Sequence, residues 1–112
     1  MSQDSSAVHN EVRHVDAEGL KQVLSGNNLV IINFCAPWCG PCRMLAPKVE
    51  QLAKAHRDVV FVKVNIDECE EVSAQYNVSA LPTLVAVRNG HVVGRVVGAS
   101  EADLQQMINT NR

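Results

Sequence analysis

Two cysteines, Cys39 and Cys42, are the residues of this chain whose type and spacing best suit chemistry. A largely apolar run over residues 30–34 precedes them and a helical pattern follows, so they are predicted at the start of a helix. A helix N-terminus presents unpaired N–H groups and a partial positive charge, which favour a thiolate over a thiol. Two such thiols can close to a small disulfide or open to a dithiol. The pattern is therefore typical of a thiol–disulfide exchange site.

Two other interpretations of this pair are a static disulfide and one half of a zinc site. Both are disfavoured, because a second C-x-x-C is missing and the histidines share no metal-ligand spacing. We expect no metal site, and we expect surface or half-buried positions for His9, His14, His56 and His91. The spacing of Cys35 and Cys69 does not suit a secreted disulfide framework, so a reducing, intracellular setting fits better.

Size and composition are those of one globular domain. The chain has 112 residues, a net charge of −2 and 46% hydrophobic residues, which allows a buried core and gives no case for nucleic acid or an anionic membrane as a partner. No apolar stretch approaches the roughly 20 residues of a membrane span. Residues 1–10 lack the apolar core of a secretory signal and the arginines of a transit peptide. They are predicted to be a disordered arm before a domain over 11–112.

The apolar periodicity predicts the element order β-α-β-α-β-α-β-β-α. Strands are expected over 12–15, 29–34, 59–65, 84–88 and 91–97, and helices over 17–25, 39–56, 67–76 and 101–109. Asn89-Gly90 is a strong signal for a two-residue hairpin, and Pro47 is expected to kink the second helix. The early elements need parallel crossovers and the hairpin adds antiparallel pairing. The sheet is therefore predicted to be mixed, with helices on both faces.

From about Val12 to the C-terminus, the chain resembles the thioredoxin family. The matching residues, in the family's order and spacing, are Trp38-Cys39-Gly40-Pro41-Cys42, Ala46-Pro47, Asn65-Ile66-Asp67, Leu81-Pro82-Thr83, Asn89-Gly90 and Gly98-Ala99. The resemblance implies an α/β thioredoxin fold, with a mixed five-stranded central sheet in the order 1-3-2-4-5 flanked by four helices. It also implies a cis peptide bond before Pro82.

The resemblance further implies an activity and its partners. Electrons from NADPH would reach the protein through thioredoxin reductase and leave to disulfides in client proteins, with no cofactor bound, as part of cell redox homeostasis. Cys39 would be the nucleophile, with its sulfur at an exposed tip. Cys42 would be the resolving thiol, more buried and protonated until it attacks Cys39. A monomer in the cytoplasm is expected, and a mitochondrial location is the alternative if a transit peptide has been removed.

Several neighbouring residues take their implied roles from the same resemblance. Trp38 would shield the sulfur and contact clients, although a large aromatic can also belong to the core. The family has several dipeptides between its two cysteines, and Gly40-Pro41 is the one found in its reducing members. Leu81-Pro82 and Gly98-Ala99 would form a rim whose exposed backbone groups pair with an extended client strand, and simple turn geometry is the other explanation for the glycines.

The chain departs from the family at two positions near the cysteines. Asn33 stands where the family usually has a buried aspartate, with Lys63 at the position of that aspartate's partner. Asparagine cannot take up a proton, so resolution of the mixed disulfide is expected to slow, or to depend on water or Lys63. A neutral substitution is the alternative. Cys35 replaces an aromatic residue and is expected to be a small buried hydrophobe, or else an auxiliary thiol that oxidises with a neighbour.

Cys69 lies in the acidic stretch 67–71, whose carboxylates are expected to raise its pKa and make it a poor nucleophile. We interpret it as an inert residue or an oxidation liability. Two other functions compete with disulfide reduction. An oxidase or isomerase would favour a histidine near the cysteines and a secretory signal, and neither is present. A redox-switched binding module, which holds a partner only when reduced, is the third possibility.

Overall fold

Residues 10–112 are described by a computed structural model of the chain. In this range the elements follow in the predicted order: β1 Arg13–His14, α1 Ala17–Leu24, β2 Leu29–Cys35, α2 Gly40–Ala55, β3 Val59–Asn65, α3 Glu70–Gln75, β4 Thr83–Arg88, β5 His91–Val97 and α4 Glu101–Asn111. None of these helices is both long and apolar enough to cross a membrane.

The five strands form one sheet in the order β1-β3-β2-β4-β5. Strand β3 runs parallel to β1 and β2, whereas β4 runs antiparallel to β2 and β5. The peptide bond between Leu81 and Pro82 is cis. The predicted strand order, the mixed sheet and the cis bond are therefore confirmed.

Helices cover both faces of the sheet because side chains alternate along the strands. On one face, Leu29 and Ile31 belong to a core cluster with residues of α2 and α4. On the other face, Val30, Ile32 and Phe34 belong to a second core cluster. It includes residues of α1, residues of α3 and residues of the loops that flank α3. All seven residues of β2 are buried, so this central strand fixes the position of the loop that follows it.

The elements differ from their predicted bounds mainly at their ends. Strand β1 has only two residues. Helix α3 begins at Glu70 rather than at residue 67, because the backbone N–H groups of Glu68 and Cys69 instead donate to the carbonyl of Asn65 in a turn. Two local signals are confirmed. Asp16 caps α1 by accepting from the N–H of Gly19 at 2.8 Å, and the hairpin residues Asn89 and Gly90 have φ values of 53° and 80°.

Asn10 belongs to the folded domain. Residues 1–9 of the predicted arm lie outside the described residues, but the side-chain amide of Asn10 donates to the carbonyls of Ala53 at 2.7 Å, His56 at 3.0 Å and Val59 at 2.9 Å. These carbonyls lie at the end of α2 and the start of β3. The prediction of an arm over 1–10 is thus wrong for its last residue, because this polar side chain meets three carbonyl acceptors at the end of α2 and the start of β3.

Replacing Asn10 with alanine is expected to lower the free energy of unfolding by about 1–3 kcal/mol, since it removes the side-chain bonds to three part-buried carbonyls. Urea unfolding of the parent and the variant measures this change. The matched control is Asn28→Ala, because exposed Asn28 makes a single side-chain bond, to the carbonyl of Asp58 at 3.1 Å. Equal losses in the two variants would show that the Asn10 contacts have no special weight.

Candidate active site

The two cysteines lie at the first turn of α2, close behind the end of β2. Cys39 is the N-cap of the helix, with φ −88° and ψ 114°, and its sulfur accepts a hydrogen bond from the backbone N–H of Cys42 at 3.4 Å. Pro41 occupies the first turn, where its missing N–H costs nothing. A negative charge on the Cys39 sulfur would therefore meet a backbone donor and the positive end of the helix.

The Cys39 sulfur is recessed rather than placed at an exposed tip. Cys39 is only 7% exposed and Cys42 5%, so the predicted exposure of Cys39 is wrong and the two cysteines are almost equally buried. The reason is tertiary packing, since Ile66 and Leu81 pack against the cysteine cluster. Cys39 still lines a surface groove of about 470 Å³, which we call the active-site groove; its walls are residues 38–41, Ile66 and residues 78–81.

Both active-site cysteines carry free thiols, so the structure describes the dithiol state. Burial raises the pKa of Cys42 to about 12, and the hydrogen bond with Cys39 acts in the same direction. The backbone of Ala36 acts in the opposite direction. Cys42 therefore keeps its proton near neutral pH.

Trp38 lies on the surface beside Cys39. It is 64% exposed, which excludes the alternative that it belongs to the core. Its indole N–H donates to the Asp67 carboxylate at 2.8 Å, and the backbone N–H of Asp67 in turn donates to the Asn65 side chain at 2.9 Å. Asp67 belongs to a segment that resembles the family, but no role was predicted for it from the sequence. The structure shows that it orients the ring that walls the active-site groove.

The predicted rim is only partly exposed. Leu81 lines the active-site groove, but Pro82 is buried and its carbonyl accepts from the N–H of Gly98 at 2.8 Å. Gly98 has a φ of +103°, a conformation that strongly favours glycine, so turn geometry accounts for this residue. Ala99 is exposed. Of the four rim residues, Leu81 is thus the one that borders the groove.

Asn33 is buried in the central strand, at 3% exposure. Its neighbours in register are Lys63 on β3 and Leu84 on β4. The side-chain oxygen of Asn33 is buried and has no hydrogen-bond partner in the described part of the chain. No hydrogen bond joins Asn33 to half-buried Lys63 within residues 10–112. The position beneath α2 is thus polar, unpaired and unable to accept a proton.

The two remaining cysteines are both buried. The expected hydrophobic environment of Cys35 is confirmed by its 1% exposure, and burial raises its pKa although Lys63 opposes this. The pKa of Cys69 is raised, as predicted, but burial is the largest cause and the carboxylates of Glu68 and Asp16 come second. The acids at residues 70 and 71 are not among the causes.

The histidines that the structure describes belong to no candidate metal cluster. Among residues 10–112, no group of three or more histidine, cysteine or acidic side chains could hold an ion. His14 and His91 are exposed as expected, and His9 lies outside the described residues. The expectation is wrong for His56, which is only 8% exposed because it caps the C-terminus of α2 and its backbone carbonyl accepts from Asn10.

Comparisons with known proteins agree on one family. The sequence profile of the Thioredoxin family matches residues 11–110. Thioredoxin of Echinococcus granulosus is 44% identical over 100 residues, which are 89% of this chain and 94% of that protein. The crystal structure of Schistosoma mansoni thioredoxin superposes with a TM-score of 0.87 at 40% identity, over 91% of this chain and 96% of the other. Mitochondrial thioredoxin 3 of Saccharomyces cerevisiae gives a TM-score of 0.83 at 31% identity, over 88% and 94%.

Proposed function

Since this chain belongs to the thioredoxin family and is therefore a protein thiol–disulfide oxidoreductase, we propose that it works as a reductase of protein disulfides through Cys39 and Cys42. The observation that carries the proposal is the position of the Cys39 sulfur. It caps α2, accepts the N–H of Cys42 and lines the active-site groove. A client disulfide that enters the groove meets a sulfur that faces a backbone N–H at the positive end of a helix.

The reaction has two exchange steps. In the first, the Cys39 thiolate attacks one sulfur of the client disulfide, and the other client sulfur leaves as a thiolate. In the second, Cys42 loses its proton and attacks Cys39 within the mixed disulfide. The second client thiol leaves, and a Cys39–Cys42 disulfide remains. Two electrons have then moved from the protein to the client, which takes up two protons.

Renewal of the dithiol requires an external supply of electrons. We infer that NADPH supplies them through a thioredoxin reductase, and that this chain itself binds no cofactor. A monomer fits an active-site groove built from one chain, and a role in cell redox homeostasis follows from general reduction of protein disulfides. A cytoplasmic location is the first proposal, and a mitochondrial one is the second, because one relative is a mitochondrial thioredoxin.

Turnover of insulin disulfides with NADPH and a thioredoxin reductase tests the proposal. We expect catalytic consumption of NADPH that requires the chain, the reductase and insulin together. Stoichiometric consumption that stops after one equivalent would contradict the proposal and would favour a redox-switched binding module. An oxidase would instead introduce disulfides into reduced client peptides, so the same chain in its oxidised form should be a poor oxidant in this second assay.

Replacing Asn33 with aspartate is expected to speed resolution by Cys42 by roughly 100-fold near neutral pH, the scale of a positioned general base. In the dithiol form of the parent, burial is the largest cause that raises the pKa of Cys42 to about 12. The same burial should keep this thiol protonated in the mixed disulfide, so its thiolate fraction should rise about tenfold per pH unit between pH 6 and pH 9. In the variant the introduced carboxylate can accept the proton, which should flatten this dependence. Stopped-flow decay of a preformed mixed disulfide measures how the resolution rate depends on pH in the parent and in the variant.

The control for this substitution is Asn109→Asp, which changes an exposed asparagine of α4 in the same way. It should leave the slope unchanged. Stability gives a second measurement, because burial raises the pKa of the introduced carboxyl in the folded state above its unfolded value of about 3.9. The Asn33→Asp variant should therefore lose stability relative to the parent as pH rises above that value. Equal resolution rates throughout would show that the substitution is neutral.

A further inference from the structure

Cys35 lies beside the two active-site cysteines and has no part in the mechanism above. A single buried cluster contains Cys35, Ala36, Cys39 and Cys42. Cys35 is the last residue of β2, and strand alternation places it on the face of Leu29, Ile31 and Asn33. That face packs against α2. The first turn of α2 carries Cys42, so the third thiol lies on the side of the sheet that carries the resolving cysteine and in the same buried cluster.

Burial is the largest cause of the raised pKa of Cys42, and the charges of nearby Cys39 and Cys35 raise it further. The Cys35 sulfur makes one weak polar contact, with the carbonyl of Val64 at 3.9 Å. This distance is at the outer limit for a thiol donor, so the contact does little to hold the Cys35 side chain in place. The third thiol is thus buried, weakly bonded and adjacent to the active-site pair.

We propose that Cys35 is a third redox thiol, which exchanges with the Cys39–Cys42 disulfide of the oxidised protein to form a Cys35–Cys42 disulfide and release Cys39. The inference rests on the proposed function, which supplies the initial disulfide. The Cys35 thiolate attacks the Cys42 sulfur; the bond between Cys39 and Cys42 breaks as the new one forms. Cys39 leaves as a thiolate and takes up the proton that Cys35 lost. One disulfide is present before and after, so no oxidant is needed.

The direction of the exchange follows from the leaving group. Cys39 leaves at the N-cap of α2, where its sulfur faces the backbone N–H of Cys42 and the positive end of the helix dipole. Cys35 would leave from a buried position whose one polar contact is the carbonyl of Val64, so Cys39 is the better leaving group. The rate, in contrast, is limited by Cys35, because burial raises its pKa and leaves little of it ionised at neutral pH. The exchange should thus be slow, on the scale of minutes to hours, and should accelerate with pH.

The exchanged form would have a different reactivity from the ordinary oxidised protein. Its Cys39 is free and can attack a client disulfide, whereas Cys42 is engaged and cannot resolve the adduct. The new disulfide joins two residues that do not line the active-site groove, whereas Cys39 does, so a reductase would reach it slowly. A chain left oxidised would therefore pass into a form that captures clients without releasing them.

Differential labelling of the full chain tests this exchange. The protein is oxidised to one disulfide and held at pH 7 or pH 9, and the exchange is then stopped with acid. Denaturation in the presence of N-ethylmaleimide labels the cysteines that are free at that moment. Reduction followed by iodoacetamide labels the two cysteines that were joined in the disulfide. Tandem mass spectrometry locates each label. We expect maleimide on Cys39 in at least about a tenth of the molecules. This labelled fraction should increase during the incubation, severalfold faster at pH 9 than at pH 7, since only the thiolate attacks.

Two matched variants complete the experiment. Cys35→Ser should remove the maleimide label from Cys39, whereas Cys69→Ser, which changes another buried cysteine, should leave it. Maleimide on Cys35 and Cys69 alone at all times would overturn the inference and leave the proposed function standing. Persistence of the Cys39 label in Cys35→Ser would also overturn it, because Cys42 must then have another partner. Maleimide on both Cys39 and Cys42 would contradict the proposed function itself, because no active-site disulfide would have formed.

Discussion

Cys39→Ser is expected to reduce the rate of NADPH-linked insulin reduction by at least about 1,000-fold, because losing the nucleophile of a covalent mechanism has an effect of this order or larger. A serine hydroxyl at this helix N-cap can still accept the N–H of Cys42, so the local fold should persist. It cannot form a disulfide with a client. The loss should therefore appear in turnover and not in the free energy of unfolding.

Cys69→Ser is the matched control for this variant. Cys69 is also the residue before a helix, α3, and is 6% exposed against 7% for Cys39. It differs in making no side-chain capping bond and in lying outside the active-site groove. Its replacement should leave insulin reduction within about twofold of the parent. Substantial turnover by Cys39→Ser, or a comparable loss in both variants, would remove Cys39 from the role of nucleophile.

The second large effect is expected from Cys42→Ser, which should leave capture intact and block release. Cys39 would attack a client disulfide at nearly the parent rate, and the mixed disulfide would then persist, with decay slowed by about 1,000-fold or more because the attacking thiol is gone. Mass spectrometry without reducing agent would show the chain joined to the client peptide. Treatment with dithiothreitol should release both.

Cys35 makes a further variant necessary in that experiment. A third thiol in the same cluster could attack the adduct in place of Cys42, so Cys35→Ser should be combined with Cys42→Ser. The double variant should hold the adduct at least as long as the single one. If adducts decay at the parent rate in both, then an external thiol or water resolves them, and Cys42 is not the resolving cysteine.

The sequence patterns predicted the local structure well. The C-x-x-C at a helix start, the aspartate cap of α1 and the hairpin at Asn89-Gly90 depend on interactions between near neighbours, and each is present in the structure. The bounds of β3 and β5 also agree with the prediction. Long apolar runs, whether alternating or continuous, indicate a strand clearly enough to fix its ends. The strand order required the family resemblance, since periodicity does not determine which strands are neighbours.

Features that depend on distant residues were not predictable in this way. The amide of Asn10 bonds carbonyls 43 to 49 residues away, and nothing near Asn10 in the sequence indicates these acceptors. Trp38 and Asp67 are 29 residues apart. The recess of Cys39 arises in the same manner, from side chains contributed by the loops after β3 and before β4. An N-terminal helical position predicted the chemistry of this sulfur but not its depth.

That depth imposes a steric selection on what can be reduced. Nucleophilic attack on a disulfide needs a nearly straight line through three sulfur atoms, and here the line begins at a residue that is only 7% exposed, in the wall of a groove. A bond held rigidly inside a compact partner cannot approach along it. Disulfides in extended or locally unfolded segments can. Native structural bridges in stable proteins should thus be spared, and loosened or misfolded chains should be reduced first.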